Sequence, residues 1–317
     1  MRIGVDIGGM TVKIGLVEET DYRIIDKKVI PTDSEKQSAS ALIRKIAEAV
    51  KTILQENGIS VKECKALGIA CPGTVDSRNG AVLYSNNLGW EDLALCDILR
   101  QELDLPMAVA NDADAAALGE VICGAAKGRN NAVLLTLGTG VGGGVIMDKR
   151  IFSGYLQGGC ELGHMVIERQ GRLCTCGRRG CLEVYASASA LMEQARNAAA
   201  ADQDSVLNAL CGHDYAALNG KMVFDAQKQG DKAAMQVVDE YEESLSIGIA
   251  NIVNIFRPEV VILGGGVSAQ KEYLTDELQK RVSMLCFGRE HGEIPPIVTS
   301  ALGNDAGIIG AAYLVQI

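Results

Sequence analysis

No stretch of this 317-residue chain stays apolar long enough for a secretory leader or a membrane span, and its opening, Met1-Arg2-Ile3-Gly4-Val5-Asp6, is soon interrupted by charge. A cytoplasmic location is expected, with no membrane partner. Positive charge is also in short supply. With 30 Lys and Arg against 40 Asp and Glu, the net charge is −10, which opposes binding to nucleic acid, since that needs a basic face to displace counterions. No lysine followed by Ser or Thr closes any glycine turn, so the P-loop pattern is absent. No linker rich in Pro, Ser or charge divides the chain.

Other quantities are ample. Hydrophobic residues make up 48% and charged residues 22%, enough for a sizeable core and too apolar for disorder. The length calls for about two domains. Ten cysteines could suggest disulfides, but in a reducing compartment they stay free or bind metal, and only three cluster. Cys64, Cys71, Cys96, Cys123, Cys160, Cys211 and Cys286 are read as small apolar core residues.

Apolar residues alternate at Ile3, Val5 and Ile7, break at Gly8-Gly9, and resume at Val12, Ile14 and Leu16, which predicts strand, turn, strand. The same design returns at Val133, Leu135 and Leu137, then Gly138-Thr139-Gly140, then Gly144-Val145-Ile146. Two such units suggest a duplicated architecture with a pocket between the copies. Between them, apolar residues from Ala39 to Leu54 recur at helical spacing, with Ser34 and Gln37 as a capping box and Gly58 as a stop. Short strands at 66–70 and 107–110 run into Pro72-Gly73-Thr74 and Asn111-Asp112, and ligands favour such strand ends in open α/β sheets. A mainly helical stretch follows from about Ala186 to Phe256. Then a strand at 260–263 enters Gly264-Gly265-Gly266, and a last helix is expected from about Asp305 to Val315.

Three glycine turns can bring backbone amides close to phosphate oxygens: Asp6-Ile7-Gly8-Gly9-Met10-Thr11, Gly138-Thr139-Gly140 and Gly264-Gly265-Gly266. Asp6 suits a water-coordinated magnesium. Lys13 either approaches the phosphates or is a solvated strand residue. Asp112, at a strand end, either accepts a proton from an attacking hydroxyl or caps the next helix. The sharpest local pattern is Cys174-Thr175-Cys176-Gly177-Arg178-Arg179-Gly180-Cys181, with His164 ten residues before it. Three cysteines and a histidine make a closed, structural zinc site. Glu161 and Glu183 flank it, and carboxylates held on such a frame can grip vicinal hydroxyls, as a sugar site requires.

Taken together, these residues resemble the ROK family of sugar kinases and repressors, in particular its glucokinase-like members, along essentially the whole chain. Asp6 to Lys13 is similar to the family's first phosphate turn, Pro72 to Asp76 to a substrate-side loop, Asn111-Asp112-Ala113 to the catalytic segment, and Leu137 to Gly144 to the second phosphate turn. Glu161-Leu162-Gly163-His164 and Cys174 to Glu183 are similar to its paired sugar and zinc signatures. The resemblance implies Asp112 as general base, with Asn111, Glu161, His164 and Glu183 on the sugar hydroxyls and Gly73 and Asn87 as further sugar wall. It implies that Asp6, Gly8, Gly9, Thr11, Lys13, Gly138, Thr139, Gly140, Gly265 and Gly266 face the nucleotide, and that His164, Cys174, Cys176 and Cys181 hold zinc. It further implies an α/β, two-lobed, actin-like (ribonuclease H-like) fold with an interlobe cleft, MgATP as donor, and transfer to the 6-hydroxyl of a hexose. Glucose comes first, with an N-acetylhexosamine or fructose, or a non-catalytic sugar-binding regulator, as alternatives. A homodimer or homotetramer is implied. The expected division is a small lobe of residues 1–112 and 302–317 and a large lobe of residues 113–301 carrying zinc. Where the family usually has threonine, Met10 stands.

Overall fold

The alternating N-terminal pattern folds as β1 (Arg2–Ile7) and β2 (Thr11–Val17), antiparallel, with Asp6 opposite Lys13. The coordinates, a computed structural model, describe residues 1–155, 158–290 and 292–315. β3 (Ile24–Pro31) extends the antiparallel side. α1 (Ala39–Glu56) buries Leu42, Ile43, Ile46, Ala47, Val50, Ile53 and Leu54, one face of the helical spacing. Ser38 caps it, its hydroxyl accepting the Ala41 N–H, and not the expected Ser34 and Gln37 box; Gln37 donates instead to the Thr32 carbonyl at 2.7 Å. Gly58, at φ 68°, stops it as expected.

β4 (Leu67–Cys71) runs parallel to β1. A small antiparallel sheet follows, of β5 (Thr74–Asp76), β6 (Ala81–Ser85) and β7 (Trp90–Leu93), then α2 (Leu95–Arg100). β8 (Met107–Asn111) pairs parallel to β4, giving the sheet order β3-β2-β1-β4-β8. α3 (Asp112–Cys123) leaves its end directly. β9 (Ala132–Leu137) and β10 (Val141–Met147) form the second strand-turn-strand, and β11 (Arg150–Ile151) pairs back on β10 through Ile146↔Ile151.

Next come α4 (Glu183–Ala186), α5 (Ala188–Ala201), α6 (Val206–Leu210), α7 (Gly220–Lys228) and the long α8 (Lys232–Phe256), as the sequence predicts. β12 (Val260–Gly264), α9 (Glu272–Leu285), β13 (Ile297–Thr299) and α10 (Ala306–Ala312) complete the fold. β9, β12 and β13 lie side by side in that order.

Two compact units result. One holds residues 1–132, 144–160 and 301–317, the other residues 133–143 and 161–300. A boundary at 112/113 would place α3 in the second unit, but it groups with the first. The reason is close packing on α10: a Cβ on Gly119 would strike the Ala306 carbonyl, and one on Gly310 the Ala115 carbonyl. Glycine also seats α10 on the sheet, since Cβ atoms on Gly4 and Gly68 would strike the carbonyls of Ile308 and Ala311. The sequence predicts α10 to reach Val315, yet the helix ends at Ala312, where Arg2 donates to the carbonyls of Ala312 and Val315 at 3.4 and 2.8 Å.

Cys64, Cys71, Cys96, Cys211 and Cys286 are buried as expected, whereas Cys123 and Cys160 are only partly so. Among the described residues no helix is long and apolar enough to cross a membrane.

Candidate active site and metal centre

In the first unit, the turn between β1 and β2 is closed by the Gly8 N–H donating to the Thr11 carbonyl at 2.9 Å. Thr32, fully buried at the end of β3, holds the turn from below: its hydroxyl donates to the Gly8 carbonyl at 2.7 Å and its N–H to that of Met10 at 2.9 Å. Gly9, Met10 and Thr11 are left exposed, Met10 at 86%. Asp6 and Lys13, cross-strand partners, form an ion pair at 3.2 Å. Burial pushes the Asp6 carboxyl up, and the Lys13 ammonium opposes that shift. Lys13 is thus partly exposed and paired.

Gly73 has φ 106°, and a Cβ there would strike the Tyr84 carbonyl and lie 2.9 Å from Ser85 Cα, so only glycine fits. Its carbonyl accepts the Asn111 side-chain amide at 3.0 Å. The Asn111 Oδ1 in turn accepts the N–H groups of Ala113 at 2.8 Å and Asp114 at 3.4 Å. Asn111 is therefore the cap of α3, and the capping reading of Asp112 gives way. Asp112 is the first helical residue, exposed, with one oxygen on the Ala113 N–H at 2.9 Å. Asn87 is exposed, and its Cβ lies 3.9 Å from where a Cβ on Gly9 would be.

In the second unit, two glycine turns meet. The Gly138 N–H donates to the Gly140 carbonyl at 3.0 Å, while Gly265, at φ 85°, packs so tightly on Leu137 that a Cβ would strike its carbonyl. Thr139 is exposed at the tip, and Gly266 opens a short 3-10 turn. The start of β10 packs on the segment carrying Glu161 and His164: a Cβ on Gly163 would strike the Val141 carbonyl, and one on Gly143 would come within 2.6 Å of Leu162 Cγ. Glu161 is exposed, and its carbonyl accepts the His164 N–H at 3.0 Å.

Glu183 opens α4 between two neighbours. Its Oε2 accepts the Val141 N–H at 3.1 Å, and its Oε1 accepts from the Cys174 thiol at 3.7 Å. Gly140 must be glycine beside it, because a Cβ would strike Glu183 Oε2.

The cysteine segment brings its donors together as its spacing predicts. One ligand atom each from His164, Cys174, Cys176 and Cys181 lies within 4.8 Å of every other. Cys176 Sγ and Cys181 Sγ are 3.6 Å apart, as are Cys174 Sγ and His164 Nδ1. Tetrahedral zinc with sulfur at about 2.3 Å implies sulfur separations of about 3.8 Å, so this set fits that ion. Gly177 and Gly180, at φ 84° and 82°, make the knuckle's bends. The Arg178 N–H pulls the Cys176 thiol down, while burial and the neighbouring Cys176 push the Cys181 thiol up, so in this close pair Cys176 is the sulfur that gives up its proton more readily. The Arg178 side chain donates to the His164 carbonyl at 2.8 Å, fixing the imidazole segment to the knuckle.

The sequence profile of the ROK family matches residues 2–317. A glucokinase of Thermotoga maritima is 39% identical over 99% of this chain and 96% of its own length. One from Halalkalibacterium halodurans is 37% identical over 99% and 94%. Among solved structures, a ROK family glucokinase from Streptomyces griseus, in complex with glucose and AMPPNP, superposes with a TM-score of 0.82 at 34% identity, covering 99% of this chain and 98% of that one.

Proposed function

The chain belongs to the ROK family, and we propose from that premise that it transfers the γ-phosphoryl group of ATP to the 6-hydroxyl of a hexose, glucose first. It is an ATP-dependent sugar kinase with the family's two-lobed, actin-like α/β fold. The observation that carries the reading is the division of labour at the end of β8: Asn111 takes the cap and the loop contact to Gly73, which leaves the exposed Asp112 for chemistry. In this reading Asp112 accepts the proton of the attacking hydroxyl. Asn111, Gly73, Asn87, Glu161, His164 and Glu183 hold the sugar. The turns at Gly8-Gly9-Thr11, Gly138-Thr139-Gly140 and Gly265-Gly266 receive the nucleotide, with Asp6 on a water of magnesium and Lys13 beside it.

We assign a structural zinc to His164, Cys174, Cys176 and Cys181, supported by the fit of the donor set. Bound there, zinc would cross-link the knuckle to the His164 segment. Cys174 meets the ring at Nδ1, and the other ring nitrogen is assigned to a sugar hydroxyl. The reading includes a cytoplasmic location, in keeping with ten free thiols, and a homodimer or homotetramer.

The deciding experiment is MgATP-dependent ADP release with glucose, N-acetylglucosamine, N-acetylmannosamine, mannose, fructose and allose. A strong signal with glucose supports the reading, one with another sugar renames the substrate, and silence with all of them, in zinc-replete protein, removes the kinase assignment.

A further inference from the structure

β8 is the last strand of its sheet and, among the described residues, pairs only with β4, so one edge of its backbone faces away from the ladder. A cavity of about 310 Å³ runs along residues 108–111 of that edge, within the first unit. Its wall includes Asp114 on the first turn of α3, Ser77 after β5, and Lys149, Arg150 and Ser153 from the β10–β11 hairpin, with Tyr313 also lining it. The volume lies at the lower end of small-molecule sites, which suits one monosaccharide-sized ligand.

The hairpin tip is built in an unusual way. Asp148 and Lys149 both hold positive φ, 49° and 61°, inside a turn closed by the Met147↔Arg150 pair. Such turns favour Asn or Asp followed by Gly, so Asp148 suits its position while Lys149, standing where glycine is favoured, is held there at a conformational cost. The tip is anchored nonetheless: the Lys149 N–H donates to the Asn130 carbonyl at 2.8 Å, and the Asp148 N–H to Asn131 Oδ1 at 3.0 Å. Strain held in place by anchoring points to a function for the side chains displayed. Among the described residues neither Lys149 nor Arg150 forms an ion pair, in a chain whose net charge is −10.

We propose that this cavity is a second binding site, for a small phosphorylated sugar. Lys149 and Arg150 take the phosphate, with Ser77 and Ser153 as hydroxyl donors, while Asp114 and the open peptide groups of β8 take the sugar hydroxyls. Two cations fit a phosphate dianion, and one buried carboxylate, 7% exposed, fits hydroxyl donors. A ligand there touches Asn111, the cap of α3, and lies two residues along the helix from Asp112. Resting on the kinase reading, this makes the site a sensor of the reaction's own class of product.

The test is calorimetric titration of the full chain with glucose 6-phosphate, in parallel with inorganic phosphate and with glucose, for wild type and Lys149→Ala/Arg150→Ala. The expected result is that glucose 6-phosphate binds even at saturating glucose, more tightly than inorganic phosphate, and that the double variant weakens it about tenfold or more. Turnover and KM for glucose should be unchanged in that variant. The proposal is overturned if glucose displaces the sugar phosphate competitively and the variant binds it as wild type does, if inorganic phosphate binds equally well, or if no binding is seen. Binding that depends on Lys149 and Arg150 in a chain inert toward every sugar would support the second site while removing the kinase reading.

Discussion

Glu183 joins the cysteine knuckle to the strand after the second glycine turn: one carboxylate oxygen accepts the Val141 N–H at 3.1 Å while the other lies 3.7 Å from Cys174 Sγ. A group assigned to the sugar thus also fixes the backbone next to the nucleotide turn. Glu183→Ala is expected to raise KM for both glucose and ATP, each about tenfold, the cost of about 1.5 kcal/mol for a hydrogen bond to a charged group. Glu183→Gln keeps an acceptor for Val141 and should raise KM for glucose with little change for ATP. Equal ATP constants in wild type and Glu183→Ala, from steady-state kinetics, would discard the link.

Asp112 and Asn111 should separate cleanly on substitution. Asp112→Asn is expected to lower kcat about a hundred- to ten-thousand-fold with an unchanged melting temperature, because the helix cap is elsewhere. Asn111→Ala removes that cap and the Gly73 contact, and should destabilise the fold by about 1 kcal/mol or more. Denaturant titration beside kinetics distinguishes the two, and near-normal turnover in Asp112→Asn would end its assignment as base.

Purified protein should hold close to one zinc per chain by elemental analysis. Cys181→Ser, which alters a fully buried ligand, is expected to lose the metal and lower the melting temperature. Metal content well below one, with the same melting temperature before and after chelation, would show that the knuckle stands without an ion.

Glu242 on α8 gives the fold a pH dependence. Burial raises its carboxyl to about 7, against the pull of Arg281 at 3.6 Å and with the added push of Glu277 and Asp239. The folded chain therefore keeps a proton that the unfolded chain releases, so stability declines as pH rises from the ordinary carboxylate range to about 7 and is level above it. Glu242→Gln, neutral at every pH, should be more stable than wild type at pH 8 by on the order of 1–2 kcal/mol and about equal at pH 5. Urea titrations at the two pH values check it, and a difference of the opposite sign would refute it.

Met10, at 86% exposure, offers no hydroxyl at the first phosphate turn. Met10→Thr is expected to lower KM for ATP several-fold, about 1 kcal/mol for one hydrogen bond, without changing KM for glucose. An unchanged ATP constant would mean that Thr11 already supplies the contact.

What could be read from the sequence was local. His164 and the three cysteines sit within 18 residues, so their convergence follows from spacing, and the first two strands follow from alternation of apolar residues. The roles of Asn111 and Asp112 could not be told apart because both suit a cap, and only the path of the backbone decides which one is non-helical. The bond from Glu183 to Val141 spans 42 positions, and Thr32 reaches Gly8 across 24. Nothing in a one-dimensional pattern marks either contact. The packing of α3 on α10 is hidden for a related reason: it runs through glycines whose close approach is visible only once the helices are packed.

The seating of α10 on Gly4 and Gly68 sets an order of assembly during synthesis. The helix follows the whole of the second unit in the chain, yet β1 and β4, which precede that unit, need it to cover their backbone. The unit that begins first must therefore wait, exposing one face of its sheet, until the second unit has been made. A chain stalled before α10 would leave that face open, and with it a surface for proteolysis and aggregation that closes only once α10 has been made.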